Sequence, residues 1–360
     1  MIDSLTEQAP VLIVLCPFLM AFVVFLAGMK YPKTALPLTI VGVLGCIFAS
    51  ILCGQRILEN GFIEYRLGGW KSQGGLEIGI HYYLDNLTLI VLIAICITVL
   101  ATAVYSWKSV QKDLVHTPKK IPIFYTLYLL LCTGLFGMTV TGDAFNLYVL
   151  LEITSLSSYA LIAIRKGRAV LSCYNYLIMG TIGASFYLLG VGYLYMATGS
   201  LNIQNIHSII QAESLYGSST ILTAFVMILV GLFIKMAFFP LHGWLPNAYS
   251  FASTTSGAIM APLMTKVTIY IMIRVMLSIF GADYIFEHLP FNSVIIHLAT
   301  LAIFAGAWMA LAQKNLRKML CYIIVAEVGY MVGGAWLANE AGMIGAIYHI
   351  LSDALMTLAL

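Results

Sequence analysis

Charge is what this sequence has least of. Only 9% of its 360 residues are Asp, Glu, Lys or Arg, against about 25% in a soluble domain. Because 61% of the residues are apolar, too few charges remain to cover a water-facing surface, and lipid must take that place. The net charge of +3 is small, and no basic tract interleaves with aromatics, so nucleic acid is not implied as a partner. There is no CxxC pair and no CxxCH. The seven cysteines lie at 16, 46, 53, 96, 132, 173 and 321, all in or at the end of apolar runs. They read as small packing residues, which argues against disulfides, haem or a metal centre. The N-terminus lacks a signal-peptide pattern: Asp3 and Glu7 precede the first apolar run, where lysines would be expected.

Long apolar runs are abundant. Runs of about 18 or more residues read as spanning helices. They fall near 10–29, 35–54, 84–107, 121–140, 144–164, 170–198, 219–250, 256–280, 293–311, 319–337 and 342–360, giving an all-α polytopic membrane protein with about eleven spans. The seventh contains Pro240 and Pro246 in AFFPLHGWLPNAY. A proline removes a backbone donor and clashes with the preceding turn, so this span is expected to be broken. Residues 55–83 are polar and Gly-rich, with alternation in GLEIGIHYYL, and predict a short external hairpin. Residues 201–214 predict a helix lying on the surface.

The basic residues sort by side. Alternate loops hold Lys30 and Lys33; Lys108, Lys112, Lys119 and Lys120; Arg165, Lys166 and Arg168; and Lys314, Arg317 and Lys318. The opposite side holds Arg56, Arg66, Lys71 and Arg274. This asymmetry, 12 against 4, places the richer loops inside and the N-terminus outside.

Five ionisable residues remain at membrane depth: Glu152, Lys235, Lys266, Glu327 and Asp353, joined by His297 and His349. A charge at a helix centre costs about 2.5–3.5 kcal/mol on insertion scales and often marks an ion path. Pairs that only lock helices together are the alternative, and for Glu327 and His349 it carries equal weight. His297, near a helix start, reads as structural. Tyr148, Glu152, Ser155 and Tyr159 recur on one helical face, as do Gly345, His349, Asp353 and Thr357. Off the first stripe, Leu150 is expected to face lipid. Burial disfavours an ammonium and a nearby carboxylate restores it, so a lysine–glutamate pair can switch protonation. A broken helix near Lys235 exposes backbone groups that hold water or ions. His242, in the break, either relays a proton or bonds the broken backbone.

At this point whole segments become recognisable. TGDAFNLYVLLEITSLSSYALIA, FIKMAFFPLHGWLPNAY, APLMTKVTIYIMIRV and AQKNLRKMLCYIIVAEVGYMVGG, with GGW and YYLDNLTLI before them, resemble the antiporter-like subunits of Mrp cation/proton antiporters and respiratory complex I. The nearest flavour is the D-type Mrp subunit and its relatives in membrane-bound hydrogenases. The resemblance covers about residue 65 to the end. It implies about fourteen helices with two inverted five-helix repeats, each with a broken helix. Residues 1–120 would then be N-terminal helices, 121–280 the first repeat and 293–360 the start of the second. It also implies a proton path through Glu152, Lys235, Lys266 and His349, with His242, Asp353, Glu327, Ser155 and Tyr159 as further candidates.

Two departures stand out. Relatives often carry a second histidine and a lysine where this chain has Asp353 and Thr357, and a glutamine where it has Glu327. An acid at 353 would relay protons differently or bind a cation. The second broken helix is expected beyond Leu360, in a longer natural chain.

The resulting expectation is a proton-translocating, cation/proton-antiport subunit in the inner cell membrane. It would work with other membrane subunits, protons and candidate sodium ions, surrounded by lipid, with no cofactor and no redox site of its own. The rivals are a redox-driven subunit of complex I or a hydrogenase, a quinone-binding enzyme, and a plain anchor. The quinone enzyme would need haem or flavin ligands that the sequence lacks. The anchor would have no need of Glu152, Lys235 and Lys266.

Overall fold

The computed structural model describes residues 2–70, 79–115 and 117–360, with side chains from Thr6 onward. Lys71 and part of the alternating GLEIGIHYYL segment lie outside them. Among the described residues, ten helices are long and apolar enough to cross a membrane, and a shorter apolar helix joins them. The chain is an all-α polytopic membrane protein. Its helices are α1 (Ile2–Lys30), α2 (Ala35–Asn60), α3 (Asn86–Asp113), α4 (Lys120–Val140), α5 (Ala144–Ala163) and α6 (Arg168–Thr198). There follow α7 (Ile203–Ala212), α8 (Ser219–Lys235), α9 (Leu245–Phe251), α10 (Thr254–Arg274), α11 (Asn292–Leu311), α12 (Leu316–Trp336) and α13 (Glu340–Ala359).

The helix starts are chemically marked. An N-terminal turn leaves backbone amides unpaired, and a short polar side chain just before it can accept from one of them. Asp85, Asp143, Asn202, Ser218, Ser253, Asn315 and Asn339 all do so, at α3, α5, α7, α8, α10, α12 and α13. Burial then ranks the spans. The α10 span is 89% buried and α4 78%, whereas α13 is 22% buried. So α4 and α10 form the centre, and α10 packs against α3, α4, α5, α8, α12 and α13.

The seventh apolar run is broken as expected, at residues 236–244. Ala237 has φ +59° there, a left-handed conformation that ends regular helix for an L-residue. Pro246 does not break anything. It sits in the first turn of α9, where the missing N–H has no intrahelical partner to lose.

The predicted hairpin forms between β1 (Phe62–Arg66) and β2 (His81–Asp85), antiparallel, with Ile63 opposite Leu84 and Tyr65 opposite Tyr82. It begins later than expected because α2 runs on to Asn60. Helix α7 is amphipathic and buries Ile203, Ile206 and Ile210, one turn apart on its protein-facing side.

Leu150 corrects the sequence reading. It is buried, with its side chain over Gly137, where any Cβ would clash with it. A neighbouring glycine admits it to the α4–α5 interface instead of leaving it in lipid.

Three basic segments predicted to share a side do share one. Lys112 and Lys120, then Arg165, Lys166 and Arg168, then Arg317 and Lys318 all line a single cleft of about 1230 Å³.

Candidate functional site: paired charges along the bundle interior

Lys235 is the last residue of α8, and its side chain is 5% exposed. Its Nζ donates to Glu152 Oε1 at 3.2 Å and to Ser155 Oγ at 2.7 Å, both on α5. Ser155 in turn donates to Leu151 O at 2.8 Å. The three residues are therefore held as one polar unit between α5 and the end of α8. Stopping α8 at this point also frees its last carbonyls. Trp244 Nε1 satisfies one of them, donating to Ile234 O at 3.0 Å. Trp244 is fixed by flat stacking on Tyr176, with centroids 4.0 Å apart and planes at 3°. Tyr176 meets Tyr159 edge to face at 4.6 Å. Tyr159 thus shares the stripe, but its buried hydroxyl lies near Ser155 without hydrogen-bond geometry.

A second unit lies between α10 and α13. Lys266 Nζ sits 2.8 Å from Asp353 Oδ2, with side chains 1% and 4% exposed. The contact is an ion pair without hydrogen-bond geometry. The ammonium donates instead to Ala261 O at 3.2 Å and to Thr357 Oγ1 at 3.3 Å. Thr357 Oγ1 then donates to Asp353 Oδ1 at 3.0 Å. Two of the three residues that departed from the family pattern, Asp353 and Thr357, together enclose Lys266.

A third unit is more open. His349 Nε2 and Glu327 Oε2 are 2.6 Å apart, joining α13 to α12, with side chains 27% and 20% exposed. His349 precedes Asp353 by four residues on α13, so the second and third units occupy successive turns of one face.

The histidines outside this line behave differently. His242 stands in the break, stacked on Phe239 at 5.3 Å and edge-on to Tyr322 at 6.4 Å, and its buried Nδ1 makes no hydrogen bond among the described residues. His297 bonds within its own helix, its Nδ1 lying 2.6 Å from Ser293 O.

A fourth charge pair, at the hairpin end of the bundle, escaped the sequence reading. Arg274 at the end of α10 holds Asp85 with two bonds: Nη1 to Oδ2 and Nη2 to Oδ1, each 2.7 Å. Nη2 also donates to Thr88 Oγ1 at 2.8 Å and to Tyr270 Oη at 3.1 Å. Burial pushes the Asp85 carboxyl up, but the Arg274 guanidinium and the Thr88 amide outweigh it and hold the group below its ordinary value. The signal available was the charge count. It had put Arg274 on the hairpin's side of the membrane, where Asp85 stands at the head of α3.

Comparison with known proteins now bears on these groups. Residues 141–360 match the family described as NADH:quinone oxidoreductase/Mrp antiporter, transmembrane. The N-type subunit of the NADH-quinone oxidoreductase of Desulforudis audaxviator is 39% identical over 98% of this chain and 68% of that protein. The D-type subunit of the Na(+)/H(+) antiporter of Bacillus subtilis is 28% identical over 97% of this chain and 68% of that protein. A component of an archaeal membrane-bound sulfane sulfur reductase superposes with a TM-score of 0.85 at 27% identity, over 98% of this chain and 69% of that one. A component of the Mrp complex from Dietzia sp. shares the fold, with a TM-score of 0.86 at 23% identity over 99% and 63%. The run of apolar spans, one of them broken after a buried lysine, is thus set in a sequence that matches over more than half its length: the chain belongs to the NADH:quinone oxidoreductase/Mrp antiporter family of transmembrane subunits.

Proposed function

We propose that the chain is a proton-translocating, antiporter-like subunit of a multisubunit membrane complex, moving protons through the three interior units. The observation that carries this is the Glu152–Lys235–Ser155 unit at the helix break. A buried lysine there has one carboxylate partner, and the neighbouring backbone is irregular, which a membrane protein tolerates only beside a cavity or inside protein. A pair of this kind holds the ammonium charged while contact lasts and lets it release a proton when contact loosens. Lys266 with Asp353, and His349 with Glu327, would extend the path along α10, α12 and α13, with Glu152 at one end. His242 belongs beside the break as a relay.

The named relatives support the class. One is part of a Na(+)/H(+) antiporter and another part of a NADH-quinone oxidoreductase. The higher identity to the latter favours a second reading, in which partner proteins drive this chain by redox chemistry. Sodium ions remain a candidate cargo only in the antiporter reading. The basic loops support an inner cell membrane location with the N-terminus outside. Residues 1–120, 121–280 and 293–360 fit N-terminal helices, a first repeat holding the α8–α9 break, and the start of a second.

The test is proton-coupled transport in vesicles holding the assembled complex. Glu152→Gln and Lys235→Ala should each abolish most of it without preventing assembly, whereas Leu156→Ala, at a 58% exposed lipid-facing position, should change little. Variants that assemble and transport at the parental rate would show these charges to be structural.

A further inference from the structure

The basic cleft is larger and more one-sided than an orientation signal requires. Positive loops need only lie on the inner side. Here they converge. Lys112 comes from the end of α3 and Lys120 from the start of α4; Arg165, Lys166 and Arg168 come from the α5–α6 connection. Arg317 and Lys318 arrive from the start of α12, and Asp113 is the only acid on the lining among the described residues.

Two of these cations have structural work. Arg165 and Arg317 both donate to Ala252 O, at 3.3 and 3.2 Å, and Arg317 also donates to Thr254 Oγ1 at 3.1 Å. They tie the α9–α10 junction to the cleft wall. The charged side-chain ends of Lys112, Lys120, Lys166, Arg168 and Lys318 have no hydrogen-bond or ion-pair partner among the described residues. Five unneutralised cations around one hollow repel one another unless an anion joins them.

The surroundings say what sort of anion. A second hollow of about 620 Å³ adjoins the first, sharing Lys112, Asp113 and Thr254, and runs along α3 past Val104, Tyr105 and Trp107. Those three side chains are 59%, 52% and 60% exposed on a spanning helix. An apolar groove with Tyr and Trp at the rim is what the membrane–water boundary favours. A soluble anion would use the basic cleft and leave the groove idle, and an acidic protein segment would likewise leave Trp107 to the bilayer. A molecule with a phosphate head and an acyl tail uses both. We propose that this is a binding site for an anionic phospholipid. Its phosphate sits among Lys112, Lys166 and Arg168, and an acyl chain lies along Tyr105 and Trp107.

Each cation near a membrane surface is worth roughly a fivefold preference for anionic lipid. Removing three should therefore cut occupancy by about 100-fold, and by at least tenfold after salt screening. The experiment uses the assembled complex in nanodiscs of phosphatidylcholine with a rising fraction of phosphatidylglycerol. Native mass spectrometry counts retained lipid. Phosphatidylglycerol should be retained over phosphatidylcholine, lost in Lys112→Gln/Lys166→Gln/Arg168→Gln, and regained in Lys112→Arg/Lys166→Arg/Arg168→Lys. A measurement on the unmodified protein avoids any folding defect. Phosphatidylglycerol brominated on its acyl chains should quench tryptophan fluorescence more than brominated phosphatidylcholine, and Trp107→Phe should remove the difference. Equal retention of both lipids, or quenching that ignores headgroup charge, overturns the proposal. So does displacement by millimolar inorganic phosphate, which would mean a soluble anion. Finding an acidic segment of a partner protein cross-linked into the cleft overturns it as well.

Discussion

Replacing Asp85 by Asn tests how the hairpin end of the bundle is held. Arg274 is 9% exposed at its side chain and Asp85 25%. Removing one partner of a buried ion pair costs roughly 3–5 kcal/mol because the other charge is left uncompensated. The quarter exposure of Asp85 lets water take up part of that charge, so about 2–3 kcal/mol is expected. That is a factor of roughly 30 to 150 in the unfolding equilibrium. Arginine has no route of escape by losing its proton, which makes it a cleaner case than either buried lysine. Asn still caps α3, because it accepts from the Thr88 amide nearly as well as Asp does. The loss therefore reports charge, and Asp85→Ala should cost about 1 kcal/mol more.

The protein carries its own reporter. Cys46, Cys53, Cys132, Cys173 and Cys321 are free and buried, so a thiol-reactive dye brightens as the bundle opens. The sign of the pH effect follows. Since Asp85 is held below its ordinary value in the folded protein, its contribution is present above the unfolded value, about 3.9, and fades as pH falls through the folded one. The parent and Asp85→Asn should differ at neutral pH and converge in strong acid. If the two melt together at neutral pH, water in the adjoining hollow of about 240 Å³ beside Arg274 and Asp85 already solvates the guanidinium, and the clasp contributes nothing.

Other substitutions probe the interior. Asp353→Asn should impair transport and stability together by stranding the Lys266 ammonium, whereas Lys266→Met with Asp353→Leu should restore stability and leave transport dead; equal stability of all three in the same dye assay would mean the pair is hydrated. Gly231→Ala should destabilise by about 1–3 kcal/mol, because the new Cβ would lie 2.6 Å from Gly183 O and 2.8 Å from Tyr187 N, both backbone atoms; an unchanged melting curve would show that α6 and α8 can separate freely. Trp244→Phe keeps the ring stack but leaves Ile234 O with only the Ala237 amide, at 3.2 Å, at a cost of about 0.5–1.5 kcal/mol, and should slow transport if the break must stay in place. Single cysteines at Lys112, Lys166 and Lys318 should all react with an impermeant reagent from one side of the membrane; a split result would contradict the shared cleft.

The spans were legible because a run of apolar residues long enough to cross lipid needs no partner to identify it, and the charge count grouped the basic loops that line one cleft. The break was legible from Pro240, though its extent was not, since Pro246 looks identical in sequence but opens α9. The Glu152–Lys235 contact was legible through resemblance. The Lys266–Asp353 pair was not, because Asp353 departs from the family pattern and a helical stripe says which side a residue faces, not what it meets. Leu150 failed for the same kind of reason: whether a leucine meets lipid depends on a glycine on another helix. Arg274 and Asp85 stand 189 residues apart, and only the folded chain brings them together.

Arg274, Tyr270 and Lys266 occupy three successive turns of α10, so the clasp and the buried ammonium are about 12 Å apart on one rod. Tyr270 is pinned midway, its hydroxyl donating to Thr139 O at 2.8 Å. Pro262 lies one turn further on and removes a ladder bond, loosening the helix there. The geometry is that of a single strut: it is fastened at the hairpin by Arg274, at mid-length by Tyr270 and at its inner end by Lys266. Whatever holds the hairpin end of α10 therefore also sets where Lys266 stands against Asp353, deep in the bundle, without touching either residue.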